Sequence, residues 1–131
     1  MSKYLAFPDV LFKDRRLLLA ALADVGFADV EEAHGLHLYG YQGDQRPEVA
    51  DIVVRRRLIG RASNDIGFTR TADGYAPIIS EFDQRTALGG AFLPKLRTAY
   101  SERVVEAVKQ RLRGTAQRTV EGSVVKIRVR Y

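Results

Sequence analysis

The chain has 131 residues, 46% of them hydrophobic and 28% charged, with 21 Lys and Arg against 16 Asp and Glu and a net charge of +5. That length and balance fit one globular domain, residues 1–131, and exclude a disordered chain. There is no cysteine, which excludes a disulfide framework, a thiolate metal site and a cysteine nucleophile.

Residues 4–12, YLAFPDVLF, read as an N-terminal strand in which Pro8 marks an edge or a bend. Asp14 then precedes apolar residues at 17, 18, 21, 22 and 25. That spacing predicts a one-sided helix with Asp14 as its N-cap and Gly26 as its stop. FADVEEA and HGLHLYGY are predicted as two short strands turning near Gly35. The polar QGDQRPE reads as a loop, and VADIVVRRRLI as a strand through its β-branched run Ile52, Val53 and Val54.

The segment NDIGFTRTADGYAPIISEFD, residues 64–83, contains two apolar runs around Asp73-Gly74. Asp-Gly is a strong signal for a type I′ hairpin turn, so residues 64–70 are predicted to pair with 75–80. Gly67 inside the first strand points to a bulge or a close backbone approach. Asp83 reads as an N-cap for the residues after it.

Leu88, Phe92, Leu96, Tyr100, Val104, Val108 and Leu112 recur every four residues and predict a second helix, with Pro94 suited to its first turn and Gly114 to its end. Phe92, Leu96, Tyr100, Val104 and Val108 are expected to line the core. The closing AQRTVEGSVVKIRVRY is predicted as two strands around Glu121-Gly122, with Lys126, Arg128 and Arg130 forming a solvated basic row. Alternating strands and two one-sided helices give an α+β fold: a two-layer sandwich of a mainly antiparallel sheet with both helices on one face.

The chemistry is sparse. His34 and His37 would point to opposite faces of an extended strand, and without cysteine they make a poor zinc set. Asp65, Glu81 and Asp83 could converge on a cation across a hairpin, or else pair with arginine. No P-loop, nucleophile elbow or dinucleotide fingerprint occurs, so no catalytic residue, metal or cofactor is assigned. The start lacks a signal peptide and the longest apolar stretch is Leu17 to Ala23, so the protein is expected to be soluble and cytoplasmic.

Charge is uneven. Seven acidic residues face one arginine between Asp24 and Asp51, while Arg55, Arg56, Arg57 and Arg61 form a basic cluster. This pattern supports two readings. In the first the protein is a non-enzymatic protein-interaction module that docks through an exposed sheet face or edge. In the second, Arg55, Arg56, Arg57 and Arg61 with the Lys126, Arg128 and Arg130 row bind RNA or DNA, with Tyr39 and Tyr41 as stacking platforms. The modest net charge favours the first, with the arginines solvated or partnered by the acidic stretch.

Across nearly its whole length the chain also resembles an uncharacterised family, first noted as a hypothetical reading frame in algal chloroplast genomes and found in cyanobacteria and other bacteria. The likeness rests on Asp65-Ile66-Gly67-Phe68, Gly74-Tyr75 after the turn, Tyr100 in the helix, and Gly122 and Tyr131 in the final hairpin. The chain departs from that pattern in having no Trp and Ser80-Glu81-Phe82-Asp83 after the second strand. The family brings no activity. By association it suggests a protein partner, an AAA-type ATPase system being one.

Overall fold

A computed structural model describes residues 2–120, with side chains described as far as Gly114. Five strands, β1 (Tyr4–Ala6), β2 (Glu31–Tyr39), β3 (Gln45–Val54), β4 (Ile66–Thr71) and β5 (Gly74–Ser80), form one antiparallel sheet in the order β1-β5-β4-β3-β2. The helices are α1 (Arg15–Asp24), α2 (Glu81–Thr86) and α3 (Phe92–Val120). Leu18 and Leu22 of α1 and Phe92, Leu96 and Ala99 of α3 share one buried cluster with Ile52, Val54, Ile66, Phe68 and Ile79 of the sheet. Both long helices therefore lie on one face, and the α+β sandwich is as predicted. Among the described residues no helix is long and apolar enough to cross a membrane.

Local signals placed most elements. Asp14 caps α1 by accepting from the backbone N–H groups of Arg16 and Leu17, and Gly26 ends the helix region at φ +107°. The N-terminal strand is in two pieces. It breaks at Pro8, and the chain returns to β5 at Phe12, whose N–H and C=O both bond Tyr75. β1 is an edge, where proline nearby does no harm to the ladder.

The β4–β5 hairpin forms, but its turn is not the type I′ that Asp73-Gly74 suggests. Thr71 pairs with Gly74, so Ala72 and Asp73 occupy the tip, and only Gly74 has positive φ, at +143°. Glycine is needed there for a second reason: a Cβ would stand 2.8 Å from the Phe12 carbonyl oxygen. Gly74→Val is expected to destabilise the fold by more than about 1 kcal/mol, through backbone strain and that clash together. Chemical denaturation checks it.

Five boundaries differ from the sequence expectation. The predicted strand VADIVVRRRLI stops at Val54 and gives way to a 3₁₀ turn over Arg56–Leu58. FADVEEA and HGLHLYGY are not two paired strands; residues 31–39 form the single strand β2, which pairs throughout with β3 and shifts register between Glu32 and Leu36, where Gly35 takes φ +70°. Glycine here bends one strand rather than reversing the chain. β3 begins at Gln45, inside the segment read as a loop. Leu88 lies outside α3, in a turn over 87–90 where it and both glycines have positive φ. Lastly, Gly114 does not end α3, which runs to Val120 and so replaces the first predicted closing strand. One glycine costs a helix only ~1 kcal/mol and stops nothing unless a cap geometry forms. The rest of the closing hairpin, with Lys126, Arg128, Arg130, Gly122 and Tyr131, lies outside the described residues.

The far face of the sheet is not open. Tyr4, Leu38, Ala50 and Val53 are buried there, with Leu36 and Ile78 packed beside them. The end of the β2–β3 hairpin folds back over that face. Arg46 at the start of β3 donates to the Ser2 carbonyl and stacks over the Tyr4 ring, and Tyr39 and Tyr41 bond Asp65 and Asn64 just before β4. The face of the sheet away from the helices has a small apolar core of its own.

Candidate functional site

The densest polar constellation lies where that hairpin closes, and Arg55 is its centre. Directly after β3, its guanidinium binds Glu31 through two nitrogens (Nε–Oε2 2.6 Å, Nη2–Oε1 3.2 Å). Nη1 donates to the His37 carbonyl at 2.9 Å and to Asp65 Oδ2 at 2.8 Å. Glu31 and His37 stand on either side of the bend at Gly35, so one side chain clips both arms of β2. The guanidinium also lies 5.6 Å from the centroid of the Tyr39 ring. Bonding to Glu31, then to Asp65, holds the Arg55 proton more firmly than usual against the opposing effect of burial, while Arg55 draws the Glu31 carboxyl below its ordinary range.

Asp65 is the buried counterpart, 1% exposed. Oδ2 accepts from Tyr39 N–H at 2.7 Å as well as from Arg55, and Oδ1 accepts from Arg56 N–H at 2.7 Å. Its own N–H donates to the Tyr39 carbonyl, and its carbonyl accepts from the Tyr4 hydroxyl at 2.7 Å. Burial raises the Tyr4 pKa, and the Asp65 and Asp83 charges raise it further, so this hydroxyl keeps its proton and donates. Asp65 thus ties β1, the end of β2 and the turn after β3 to the start of β4.

Beside it sits a second buried set. Ser80, not Asp83, is the N-cap of α2: Ser80 Oγ accepts from Asp83 N–H, and Asp83 occupies the third helical position as in a capping box. Asp83 Oδ2 accepts from Ser80 Oγ–H and from both nitrogens of Asn64, while the other oxygen, Oδ1, is buried with no donor among the described residues. The Ser80-x-x-Asp83 spacing could have signalled this arrangement. A shallow cleft of about 420 Å³ opens next to it, lined by Ser2, Tyr41, Asn64, Glu81, Phe82 and Arg85. Asn64 bonds Tyr41 N–H, Ser80 and Asp83, so its amide is already committed to the fold.

The remaining motif positions are explained by packing. A Cβ on Gly67 would stand 2.6 Å from Ala50 Cβ and 2.9 Å from Ile78 Cγ2, which makes it a close-approach glycine. Phe68 is fully buried and Tyr75 nearly so, both in the helix-side core. The Tyr100 hydroxyl accepts from Asp14 N–H at 3.0 Å, and its ring meets Phe12 edge-on. Asp65, Gly67, Phe68, Gly74, Tyr75 and Tyr100 are accounted for by the fold.

Of the predicted cationic cluster, Arg55 is withdrawn from the surface and the others are held loosely or not at all. Arg55 is committed as above, and Arg57 pairs with Asp29 at 3.0 Å. Arg56 donates from its side chain to the Arg61 carbonyl at 3.4 Å. In this cluster only the exposed Arg61 side chain stands clear of an ion pair or hydrogen bond among the described residues. Tyr39 and Tyr41 are 37% and 40% exposed, but Tyr39 is stacked by Arg55 and its hydroxyl donates to Gln45. His34 pairs with Asp51 and His37 with the Arg46 carbonyl. Among the described residues no three His, Asp or Glu are grouped to hold a metal, and Asp65, Glu81 and Asp83 do not converge.

A family model described as a protein of unknown function, DUF1257, matches residues 21–128. No curated protein and no solved structure matches the chain.

Proposed function

The chain belongs to the DUF1257 family, whose function is unknown, and from its surface we propose that it is a small non-enzymatic protein-interaction module docking through α3. The observation that carries this is the commitment of Arg55, at the centre of the basic cluster, to both Glu31 and Asp65. A guanidinium held by two carboxylates has few donors left for phosphate, and the net field of a near-balanced chain steers polyanions weakly. Among the described residues two large aliphatic side chains stay open to solvent, Val105 on α3 at 40% and Val49 on β3 at 42%. Only Val105 continues into a row of apolar neighbours along its element, with Val108 and Leu112. On the sheet Val49 stands alone, because Tyr4, Leu38, Ala50 and Val53 on the far face are buried.

Two measurements test the proposal. Anisotropy titration of single-stranded RNA and duplex DNA at ~0.15 M salt is expected to give only the weak 10⁻⁴–10⁻⁶ M binding typical of non-specific contacts. Charge reversal belongs at Arg56 and Arg61, since Arg55→Glu would break the clip on Asp65. Sub-micromolar binding that disappears on Arg56→Glu with Arg61→Glu would overturn the proposal in favour of a nucleic-acid module. A photo-crosslinking amino acid at Val105, activated in cells, is expected to capture a protein. An AAA-type ATPase, the partner class suggested by the family resemblance, would appear as a high-mass product.

A further inference from the structure

The outer face of α3 carries an apolar row that the core does not use. Each step of four residues along a helix overshoots a full turn by about 40°. From Phe92 to Leu112 the period-four stripe therefore rotates by about 200°. It begins against the sheet and finishes facing away from it. Ser101, Val105, Val108 and Leu112 all lie within about 35° of the direction opposite Phe92, Leu96 and Ala99. Their spacing of four, three and four is that of a coiled-coil seam. Ser101 and Val105 are exposed, and Val108 and Leu112 half-buried.

We infer that this row pairs with the same row of a second copy, the two α3 helices running antiparallel. The flanking charges select that occupant. Glu102 and Lys109 sit on one flank of the row, seven residues and two turns apart, with opposite charges. Neither has an ion-pair or hydrogen-bond partner among the described residues, and both border the shallow groove that also includes Ser101 and Val105. In an antiparallel pair of identical helices, Val105 faces Val108 of the second copy and Ser101 faces its Leu112. The same registration sets Glu102 against Lys109 of the second copy, and two-fold symmetry makes that pair twice. In a parallel pair Lys109 would instead face Val104 of the second copy and have no opposite charge to meet. Three turns of helix bury less than the roughly 1,200 Å² of a stable interface, so the dimer is a weak, concentration-dependent one.

The inference rests on α3 being the docking face. Sedimentation velocity from about 5 to about 300 µM is expected to show a shift from monomer toward dimer with concentration. Val105→Glu and Glu102→Lys should each abolish the shift, and Glu102→Lys combined with Lys109→Glu should restore it. All of these side chains are on the solvent face, and an unchanged circular dichroism spectrum would confirm that each variant folds. A monomer throughout the range, a dimer indifferent to Val105→Glu, or a double variant that stays monomeric would each overturn it. The Val105 cross-link separates the two levels. A product of twice the 14.7 kDa chain supports the second copy, and a product with a different protein overturns it while leaving α3 as the docking face. With no product at all, both fail.

Discussion

Asp65→Ala is expected to lower folding stability by about 3–5 kcal/mol, the range for breaking one side of a buried ion pair. Three donors would lose this carboxylate at once: the backbone N–H groups of Tyr39 and Arg56, and Arg55 Nη1, which would keep only the His37 carbonyl. Leaving a buried donor unsatisfied costs about 1–3 kcal/mol by itself. Arg55 would keep Glu31, but Glu31 has a half-exposed side chain and is screened by water. Asp65→Asn is the informative control. It keeps one carbonyl oxygen in place and removes the charge, so a smaller loss is expected. Guanidinium denaturation measures both. A loss below about 1 kcal/mol for the alanine variant would mean that the hairpin closes without this residue, and that Asp65 needs another explanation.

Leu96→Ala is expected to cost about 2–5 kcal/mol, as large-to-small changes in a packed core do. Leu96 is fully buried between the sheet and α1. Val104→Ala, eight residues on in the same stripe, should cost less than about 1 kcal/mol, because Val104 has rotated out of the core and is only half-buried. The contrast matters more than either value. Equal losses at the two positions would place Val104 under the sheet, as the stripe read without its rotation suggests, and would remove the outer row from consideration as a surface.

The corrections to that stripe have one cause. A period of four and a period of 3.6 agree over two turns and disagree by half a revolution over five. Ala99, which is buried, falls on the true inward face and outside the period-four pattern. The pattern marked a helix correctly, but of the five residues it assigned to the core only Phe92 and Leu96 are buried there, with Tyr100 packed beside them, and Val104 and Val108 lie outside it. Gly35 shows the same limit in a strand. The need for positive φ was legible, but a bent single strand and a two-strand reversal use the same residue, and only the partner β3 distinguishes them.

By itself the sequence determined the elements governed by neighbours in the chain. These are the cap at Asp14, the stop at Gly26, the hairpin across 64–80, the apolar faces of two helices and hence the α+β class. Each depends on backbone geometry or periodicity within a few residues. What the motif residues do was decided by tertiary structure alone. Asp65 finds Arg55 ten residues away and Tyr39 twenty-six away because the β2–β3 hairpin folds back. Gly67 is needed because Ala50 and Ile78 approach it across neighbouring strands. Arg55 is held by Glu31, and Arg57 meets Asp29, each carboxylate more than twenty positions earlier. Charge counted along a chain has no distance in it, and the Coulomb energy of an ion pair depends on little else.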